Sequence, residues 1–221
     1  MKIKILFEDK NILAIDKPIN VLVHPDEHSR AKTVLDFLKV KYPKVELVHR
    51  LDRETSGVLL VAKNKKTHEF LKQQFQDRTI KKIYNTIVNG WVKNDHDIIR
   101  KPIGRSPKDF RRRLAGRGAR GELKEAITEY IVLKRFLDGK NKFSYLEVRP
   151  KTGRTHQIRV HMKFINHPVV GDTLYNPEGA QLKNFKRLAL HSRSIEFKDL
   201  KGKTLKIEST LPAQFKRIKE K

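Results

Sequence analysis

Short apolar segments separated by turn residues recur along this chain, and this pattern limits the folds available to it. Segments of about four to eight residues with alternating or continuous apolar character are typical of β-strands. They outnumber the segments whose apolar residues have helical spacing. The sequence therefore predicts an α+β fold in which helices and loops flank a mixed, largely antiparallel β-sheet. Because no long linker, repeat or low-complexity tract interrupts the pattern, we expect a single domain over residues 1–221.

The local sequence predicts the individual elements. Apolar stretches on either side of Asp9–Asn11 indicate an N-terminal hairpin. Further strands are predicted within residues 58–63, 83–90, 125–136, 143–150, 187–197 and 204–210. Three segments have helical spacing: TVLDFLKVKY, THEFLKQQFQDR with Thr67 as its N-cap, and THQIRVHMKF. In the last of these, Ile158 and Met162 lie on one apolar face and Arg159 lies elsewhere.

The positive charge of the chain indicates a polyanionic partner. It has 50 Lys and Arg against 25 Asp and Glu, a formal net charge of +25 and an isoelectric point near 10.3. A field of this sign attracts nucleic acid. A membrane surface would require a basic amphipathic helix with a strong apolar face, which the sequence does not show. We therefore expect a nucleic-acid partner and no membrane partner.

One segment concentrates this charge. Residues 100–120, RKPIGRSPKDFRRRLAGRGAR, contain nine basic residues and one acidic residue, Asp109. Glycine and proline flank the three consecutive arginines on both sides, so the segment is predicted to be mostly loop rather than helix. A mobile arginine-rich loop suits phosphate contacts and insertion into folded RNA. We expect Arg111, Arg112 and Arg113 to contact the RNA backbone.

The composition of the chain bears on its cellular compartment and its oligomeric state. The absence of cysteine rules out disulfides and thiolate metal sites and fits a cytoplasmic protein. No apolar run approaches the roughly 20 residues of a membrane span, and the N-terminus has no signal-peptide pattern. Together with the high net charge, the lack of cysteine favours a monomer.

Four histidines raise the question of a metal site: His156, His161, His167 and His191. A separation of five residues does not place His156 and His161 on one helix face. No HExxH pattern or cluster of acidic ligands accompanies them. We therefore expect no bound metal.

The stretch HRLDRETSG, residues 49–57, places a carboxylate between two arginines. We expect Asp52, flanked by Arg50 and Arg53, to be ionised at neutral pH, which suits a nucleophile or a base rather than a general acid. The following Thr-Ser-Gly provides a tight turn into an apolar run. On the residues alone, Asp52 is either the cap of this turn or a catalytic carboxylate, and both interpretations stay open.

Two further positions have equally open interpretations. Tyr84 follows two lysines at the start of a predicted strand, where it either stacks on a nucleobase while Lys82 holds a phosphate or fills the core. Arg154 follows Gly153 at a turn before a predicted helix. An arginine in such a turn is either structural or part of a cationic site.

These motifs together resemble the RluA-type pseudouridine synthases. The resemblance rests on HRLDRETSGVLLVAKN, HEFLKQQFQDRTIKKIYNTIVNG, RPKTGRTHQIRVHM with HPVVGDTLY, and RLALHSRSIEF, in that order. It extends from residue 5 to STLPAQF near the end and so covers essentially the whole chain. Many members carry a small RNA-binding domain at the N-terminus. We expect that domain to be absent here, because the catalytic pattern begins by residue 5.

The resemblance implies an enzyme that isomerises uridine to pseudouridine in ribosomal RNA, transfer RNA or both, without a cofactor. It implies that Asp52 is the catalytic carboxylate and that Arg50 takes the place of the flipped-out base. It also implies that Tyr84 stacks on the uracil, that Arg154 pairs with the aspartate and that Ile158 lines the uracil pocket. Whether the carboxylate attacks the sugar or removes a proton from it stays open.

The sequence departs from the family pattern at two positions. Asn20 and Asn176 stand where glycine is common, and asparagine is the non-glycine residue that best tolerates a left-handed backbone, so both turns should be preserved.

Two rival functions also stay open. One rival is a non-catalytic basic RNA-binding or ribosome-assembly protein, for which charge alone would suffice. The other is a base-excising hydrolase that releases free uracil.

Overall fold

A computed structural model describes residues 3–25, 31–183 and 185–220. These described residues form thirteen strands and four helices. In chain order the elements are β1 (Lys4–Glu8), β2 (Ile12–Lys17), α1 (Val34–Lys41), β3 (Glu46–Leu47), β4 (Ser56–Ala62), α2 (Lys65–Gln76), β5 (Lys81–Asn89), β6 (His96–Arg100), β7 (Ile103–Arg105), β8 (Arg113–Ala115), β9 (Arg120–Lys124), β10 (Ile127–Asp138), β11 (Asn141–Pro150), α3 (Gln157–Phe164), β12 (Leu190–Lys198), β13 (Thr204–Glu208) and α4 (Ala213–Glu220).

The chain divides into two compact units. The first contains Met1–Lys82 and His191–Thr210, and the second contains Ile83–Leu190 and Leu211–Lys221. Each unit is therefore built from two separate stretches of the chain. The expectation of a single domain over residues 1–221 stays a prediction.

The sheet of the first unit is mixed. Strand β2 pairs antiparallel with β1 and β4, β3 pairs antiparallel with β4, and β13 pairs antiparallel with β12. The pair β4–β12 is parallel and joins His191 to Ser56 and Ser192 to Gly57. The predicted N-terminal hairpin is confirmed, and the Asp9 carboxylate closes its turn by accepting two backbone N–H groups. Apolar residues of four strands and α2, together with the residue before β5, pack into one core cluster: Ile12, Ala14, Val58, Leu60, Leu71, Ile80, Ile195, Phe197 and Ile207.

Side-chain caps define where the helices of the first unit begin. At α1 the Thr33 hydroxyl accepts the Asp36 N–H, and the Asp36 carboxylate accepts the Thr33 N–H, which is a capping box. The predicted N-cap of α2 was wrong. Helix α2 begins at Lys65, and Asn64 caps it by accepting the Thr67 N–H at 3.0 Å. Thr67 lies inside the first turn and is buried, and its hydroxyl donates to the same Asn64 Oδ1 at 2.9 Å.

The second unit contains an antiparallel sheet and a small separate one. Strand β11 pairs with β5 and β10, and β10 also pairs with β6. Strands β7, β8 and β9 form a three-stranded antiparallel sheet. The arginine-rich segment was predicted to be mostly loop, and it does lack a helix. The prediction missed the pairing of Ile103–Arg105 with Arg113–Ala115, which makes the segment a hairpin.

A buried ion pair orients helix α3 of the second unit. Arg159 donates from Nε and Nη2 to the two carboxylate oxygens of Asp172, at 2.7 and 2.8 Å. One of these oxygens also accepts the N–H groups of Leu174 and Tyr175. Burial of both charges is compensated because every polar atom of this fork has a partner. The prediction placed Arg159 away from the apolar face of Ile158, yet both residues are buried.

The predicted α+β class with a mixed, largely antiparallel sheet is confirmed. All strand pairs named above are antiparallel except β4–β12. Asn20 has a left-handed backbone with φ of 62°. Asn176 is not among the described residues with positive φ, and its N–H donates to the Asp172 carbonyl at 2.8 Å, so its turn forms without a left-handed residue at this position. Within the described ranges, no helix combines the length and apolar character that a membrane crossing needs.

We predict that Gly57→Ala destabilises the protein more than Gly202→Ala does. Both glycines have left-handed φ values, +109° and +80°. A Cβ at Gly57 would overlap the Ser192 carbonyl, whereas a Cβ at Gly202 meets no described atom within 4 Å. Backbone strain should cost about 1 kcal/mol at either position. The overlap should add about 1–3 kcal/mol at Gly57. Urea unfolding of both variants measures the difference, and equal losses would contradict the close approach.

Candidate functional site

The segment that contains Asp52 is an extended strap followed by a tight turn. It lies in the first unit and connects β3 to β4. Arg50 is exposed, Leu51 is buried and Asp52 is partly exposed, so the side chains alternate as in an extended chain. The Thr55 N–H donates to the Asp52 carbonyl at 3.1 Å and closes the turn. Asp52 is therefore accessible to solvent at the start of the turn that leads into β4, and all residues of β4 are buried.

A buried lysine holds this turn in place. Lys17 is fully buried, and its ammonium donates to the carbonyls of Pro18, Val21 and Arg53, at 2.8, 2.9 and 3.0 Å. Three ammonium protons thus have three acceptors. Since Arg53 adjoins Asp52, Lys17 fixes the backbone beside the candidate carboxylate. This role of Lys17 was not predicted from the sequence, although Lys17 shares the strand periodicity of Leu13 and Ile15.

A neutral histidine ties the strap to the strand that follows. His49 Nε2 accepts the Leu60 N–H at 2.9 Å, and its ring stacks on Phe75 at 4.9 Å between centroids. Because Nε2 is the acceptor, the proton of the neutral ring lies on Nδ1. Burial, with a smaller contribution from the positive charge of Lys82, lowers the pKa of His49 to about 3. His49 is therefore uncharged at neutral pH.

The start of β4 is fixed by a second histidine. Ser56 Oγ lies 2.8 Å from His191 Nδ1 in a buried hydrogen bond. Ser56 and His191 are also register partners in the parallel pair β4–β12. The turn of Asp52 is thus held on both sides, by Lys17 before β4 and by His191 at its first residue.

The four histidines considered as metal ligands have separate partners. His161 bonds Thr128 Oγ1 at 2.8 Å and the Lys101 carbonyl at 2.9 Å, and burial lowers its pKa. His167 bonds the Asn89 carbonyl. In the parts of the chain that the structure describes, no group of three His, Cys, Asp or Glu residues could hold an ion. The expectation of no metal stays a prediction.

In the second unit, a buried glutamine shapes the turn that carries Arg154. Gln157 Oε1 accepts the Arg154 N–H at 3.0 Å and the Thr152 hydroxyl at 2.6 Å. Its Nε2 donates to the Ile127 carbonyl and the Thr128 hydroxyl, at 3.0 and 2.9 Å. The amide therefore joins the turn to β10 with its donor and acceptor atoms all used. This positioning role of Gln157 was not predicted from the sequence.

In the sequence, Arg154 precedes Gln157 and Ile158 follows it. The Arg154 guanidinium is partly exposed, and its Nε donates to the Glu125 carbonyl at 2.8 Å. His156, with a left-handed φ of 56°, bends the chain so that α3 begins at Gln157. Ile158 is buried on the first turn of α3. Arg154 is thus held by a backbone carbonyl of its own unit.

Tyr84 and Lys82 lie on the same strand, β5, but are assigned to different units. Tyr84 pairs in register with Val148 of β11, and 9% of its surface is exposed. Lys82 is partly buried, and burial lowers its pKa to about 8. Most Lys82 side chains are therefore still cationic at pH 7, as a phosphate contact requires.

The arginine hairpin comprises residues 103–115, which are β7, β8 and the loop between them. Arg111 forms a fork with Asp109 at 3.1 and 2.9 Å and stays exposed. Arg113 turns back, and its Nη1 donates to the carbonyls of Phe110 and Arg112. The Arg113 N–H donates to the Tyr175 hydroxyl at 2.9 Å. The hairpin is therefore an ordered structure rather than a free loop.

The predicted site residues fall in both units. Arg50, Asp52 and Lys82 belong to the first unit. The second unit contains the others: Tyr84, Arg111, Arg112, Arg113, Arg154 and Ile158. Their individual roles toward RNA stay predictions.

Comparisons with known proteins agree on one family. The sequence model described as RNA pseudouridylate synthase matches residues 11–164. The ribosomal large subunit pseudouridine synthase D of Borreliella burgdorferi is 39% identical over 224 residues, which cover 96% of this chain and 66% of that protein. An uncharacterised RNA pseudouridine synthase of Aquifex aeolicus is 42% identical over 182 residues, which cover 78% of this chain and 56% of that protein.

A solved human structure gives the same result. Human RNA pseudouridylate synthase domain containing 1 has a TM-score of 0.79 and 26% identity to this chain. The match covers 96% of this chain and 84% of the human one. By contrast, the chain spans less than two thirds of the length of the two bacterial relatives above, at 66% and 56%.

We predict that His49 makes the folded protein less stable as the pH falls. The pKa of His49 is about 3 in the folded state against an ordinary value of 6.5. Below that ordinary value the unfolded chain binds a proton that the folded protein does not. The stability contribution is therefore complete above about pH 6.5 and is lost as the pH falls toward 3.

The test is urea unfolding of the wild type and His49→Gln between pH 8 and pH 4. The glutamine carbonyl can accept the Leu60 N–H without titrating. Below pH 6 the wild type should lose up to about 1.4 kcal/mol per pH unit more than the variant. The comparison at pH 8 gives the cost of the substitution itself. Parallel curves across the range would contradict a buried neutral His49.

Proposed function

The chain belongs to the RNA pseudouridylate synthase family, and on this basis we propose that it isomerises uridine to pseudouridine in RNA. In this reaction the bond from the ribose to the uracil nitrogen breaks. The uracil then turns and rejoins the same sugar through a ring carbon. The reaction involves no redox change and no group donor, so we propose that it needs no cofactor.

One observation carries the proposed role of Asp52. It is the placement of a solvent-accessible carboxylate on a turn held by Lys17 and followed by a strand that is entirely buried. A rigid turn limits the side chain to a narrow range of positions, which a catalytic nucleophile or base requires. Attack on the anomeric carbon and removal of a sugar proton are both compatible with this role.

Base flipping is the proposed role of Arg50. A uridine must leave its stack before its glycosidic bond can be reached, at a cost of about a few kcal/mol. Arg50 is exposed two residues before Asp52, with Leu51 buried between them. We propose that its planar guanidinium fills the space left by the base and offsets part of that cost.

Residues of the second unit are proposed to bind the uracil. Tyr84 offers an aromatic face and Ile158 an apolar surface, and Arg154 supplies positive charge for the uracil anion. The arrangement around Gln157 supports the last assignment, because it fixes the backbone of Arg154. Arg111, Arg112, Arg113 and Lys82 are proposed to contact the RNA backbone.

We propose ribosomal RNA as the substrate class. Several relatives are named for pseudouridine synthesis in the large ribosomal subunit, including those of Borreliella burgdorferi and Pseudomonas aeruginosa. Transfer RNA is the alternative that the sequence resemblance leaves open. Because these relatives are named as bacterial ribosomal enzymes, we also propose that the protein acts in the cytoplasm. Its high net charge and lack of cysteine support the proposal that it is a monomer.

We predict that the protein releases tritium from RNA labelled at the uracil carbon that becomes the new glycosidic position. Isomerisation replaces the hydrogen on that carbon, so the label enters water. Asp52→Asn should reduce the release at least 10³-fold, the order expected when an essential nucleophile or base is lost. Glu54→Gln, which removes the same charge two residues away, should retain activity.

The same assay separates the rival functions. A base-excising hydrolase would release labelled uracil instead of tritiated water. A non-catalytic RNA-binding protein would release neither label. Asp52→Asn should still bind the RNA, so retained tritium release in this variant would reject the assignment of the carboxylate.

We predict that Arg111→Gln with Arg112→Gln weakens RNA binding and flattens its dependence on salt. Each lost phosphate contact should reduce the slope of log K against log salt by about 0.7–0.9. Arg113 is left intact because its guanidinium bonds the loop backbone. The matched control, Lys201→Gln with Lys203→Gln, removes two charges from an exposed turn of the first unit. Equal slopes in both double variants would show that only net charge matters.

A further inference from the structure

The tip of the arginine hairpin presents a large apolar side chain to solvent. Phe110 is 76% exposed, more than the other exposed aromatic residues among those described, Trp91 at 43% and Phe164 at 41%. Within the described residues no ring contact involves Phe110. Four of the six other residues of this loop are charged, so the exposed ring of Phe110 does not pack in an apolar core. An exposed apolar side chain in such a place indicates a binding partner.

We propose that Phe110 is a stacking site for an unpaired nucleobase of RNA bound to the arginine hairpin. The inference rests on the proposed function in so far as RNA is the partner. It goes further by assigning an aromatic contact and by naming a single-stranded segment as the chemical class that the contact recognises. Aromatic side chains stack on unpaired bases, and a basic surface holds the phosphates beside them.

The loop that carries Phe110 is ordered before any partner binds. The Ser106 N–H donates to the Arg112 carbonyl at 3.1 Å, and the Arg112 N–H donates to the Asp109 carbonyl at 2.9 Å. Arg113 Nη1 donates to the carbonyl of Phe110 itself at 3.0 Å. The backbone of the tip is therefore bonded on both sides, and little ordering entropy remains to be lost on binding.

The charge around Phe110 favours RNA over other partners. Hydrogen bonds from Arg111 lower the pKa of Asp109 to about 2, so this acid is ionised and already paired. The two other members of the triplet, Arg112 and Arg113, bring the loop a net positive charge. Asp109 is the one acid of the loop and already pairs with Arg111 and Arg112, so an apolar partner would leave the remaining positive charge unneutralised. RNA supplies phosphates at the spacing of its bases.

The first experiment compares the affinity of two RNA probes, a single-stranded 12-nucleotide oligouridylate and a blunt duplex of equal length. Phe110→Ala should weaken binding of the single strand about 5- to 100-fold, the range of base–aromatic stacking. It should change duplex binding less than about twofold, since duplex bases are already stacked. Phe110→Leu should lose nearly as much as alanine, while Phe110→Trp should bind as well as the wild type or better.

The matched control is Val40→Ala. Val40 is 88% exposed between Lys39 and Lys41, so it is also an apolar side chain among cations. Its removal should leave both affinities unchanged. If Phe110→Leu binds the single strand as the wild type does, or if both probes weaken equally, stacking is rejected.

The second experiment detects the contact directly. Trp91 is the single tryptophan of the chain, so Trp91→Phe combined with Phe110→Trp places the indole at the tip alone. Single-stranded RNA should quench its fluorescence, and the duplex should not. Quenching by vesicles of phosphatidylserine and phosphatidylcholine, with none by RNA, would overturn the proposal in favour of a membrane.

These results are distinguishable from failure of the proposed function. Loss of stacking with tritium release intact rejects the role of Phe110 alone. Stacking without tritium release keeps the base site and rejects the isomerase. Because Phe110 is exposed, unfolding midpoints of its variants should match the wild type, which excludes misfolding as the cause of weaker binding.

Discussion

A buried ammonium group, that of Lys17, holds the backbone on which the candidate carboxylate depends. An ammonium without exposed surface is stable only where hydrogen bonds replace its hydration. Three carbonyls do so here, and one of them belongs to Arg53, the neighbour of Asp52. The bonds that satisfy the buried charge therefore also position the turn. Any substitution that removes them loosens the carboxylate and leaves three carbonyls without that donor.

In the second unit, a neutral side chain rather than a charged one fixes the backbone beside a predicted site residue. Gln157 uses its amide oxygen for the Arg154 turn and its amide nitrogen for β10. Polar networks of this kind specify one conformation when their members are satisfied. The same holds for the buried ion pair between Arg159 and Asp172, whose charged groups are hydrogen-bonded to each other. In both units, polar groups that are buried determine geometry, while exposed cations such as Arg111 stay accessible to a polyanion.

Structural features that depend on neighbouring residues could be predicted from the sequence. Features that depend on contacts between residues far apart in the sequence could not. Alternating apolar residues located β1, β2, β10 and β11, because side-chain periodicity is a property of neighbouring residues. Asn64 and Thr67 are both good N-caps, and only the packing of α2 decides between them. The strands of the arginine hairpin are three residues long, too short for periodicity. The roles of Lys17 and Gln157 depend on partners 36 and 29 residues away in sequence. The family resemblance singled out Asp52 as a candidate, but it did not identify the groups that hold the turn of Asp52.

The low pKa of His49 excludes this histidine as a general acid or base for the proposed reaction. Histidine is the usual general acid or base near neutral pH, and His49 lies three residues before the carboxylate. Burial lowers the pKa of His49 to about 3, and its Nε2 already accepts a hydrogen bond from the Leu60 N–H. It can neither deliver nor accept a proton in the working range of the protein. We therefore assign His49 a structural role and keep Asp52 as the proposed carboxylate of the reaction. Isomerisation of uridine requires such a carboxylate as nucleophile or base, with positive charge to stabilise the departing uracil.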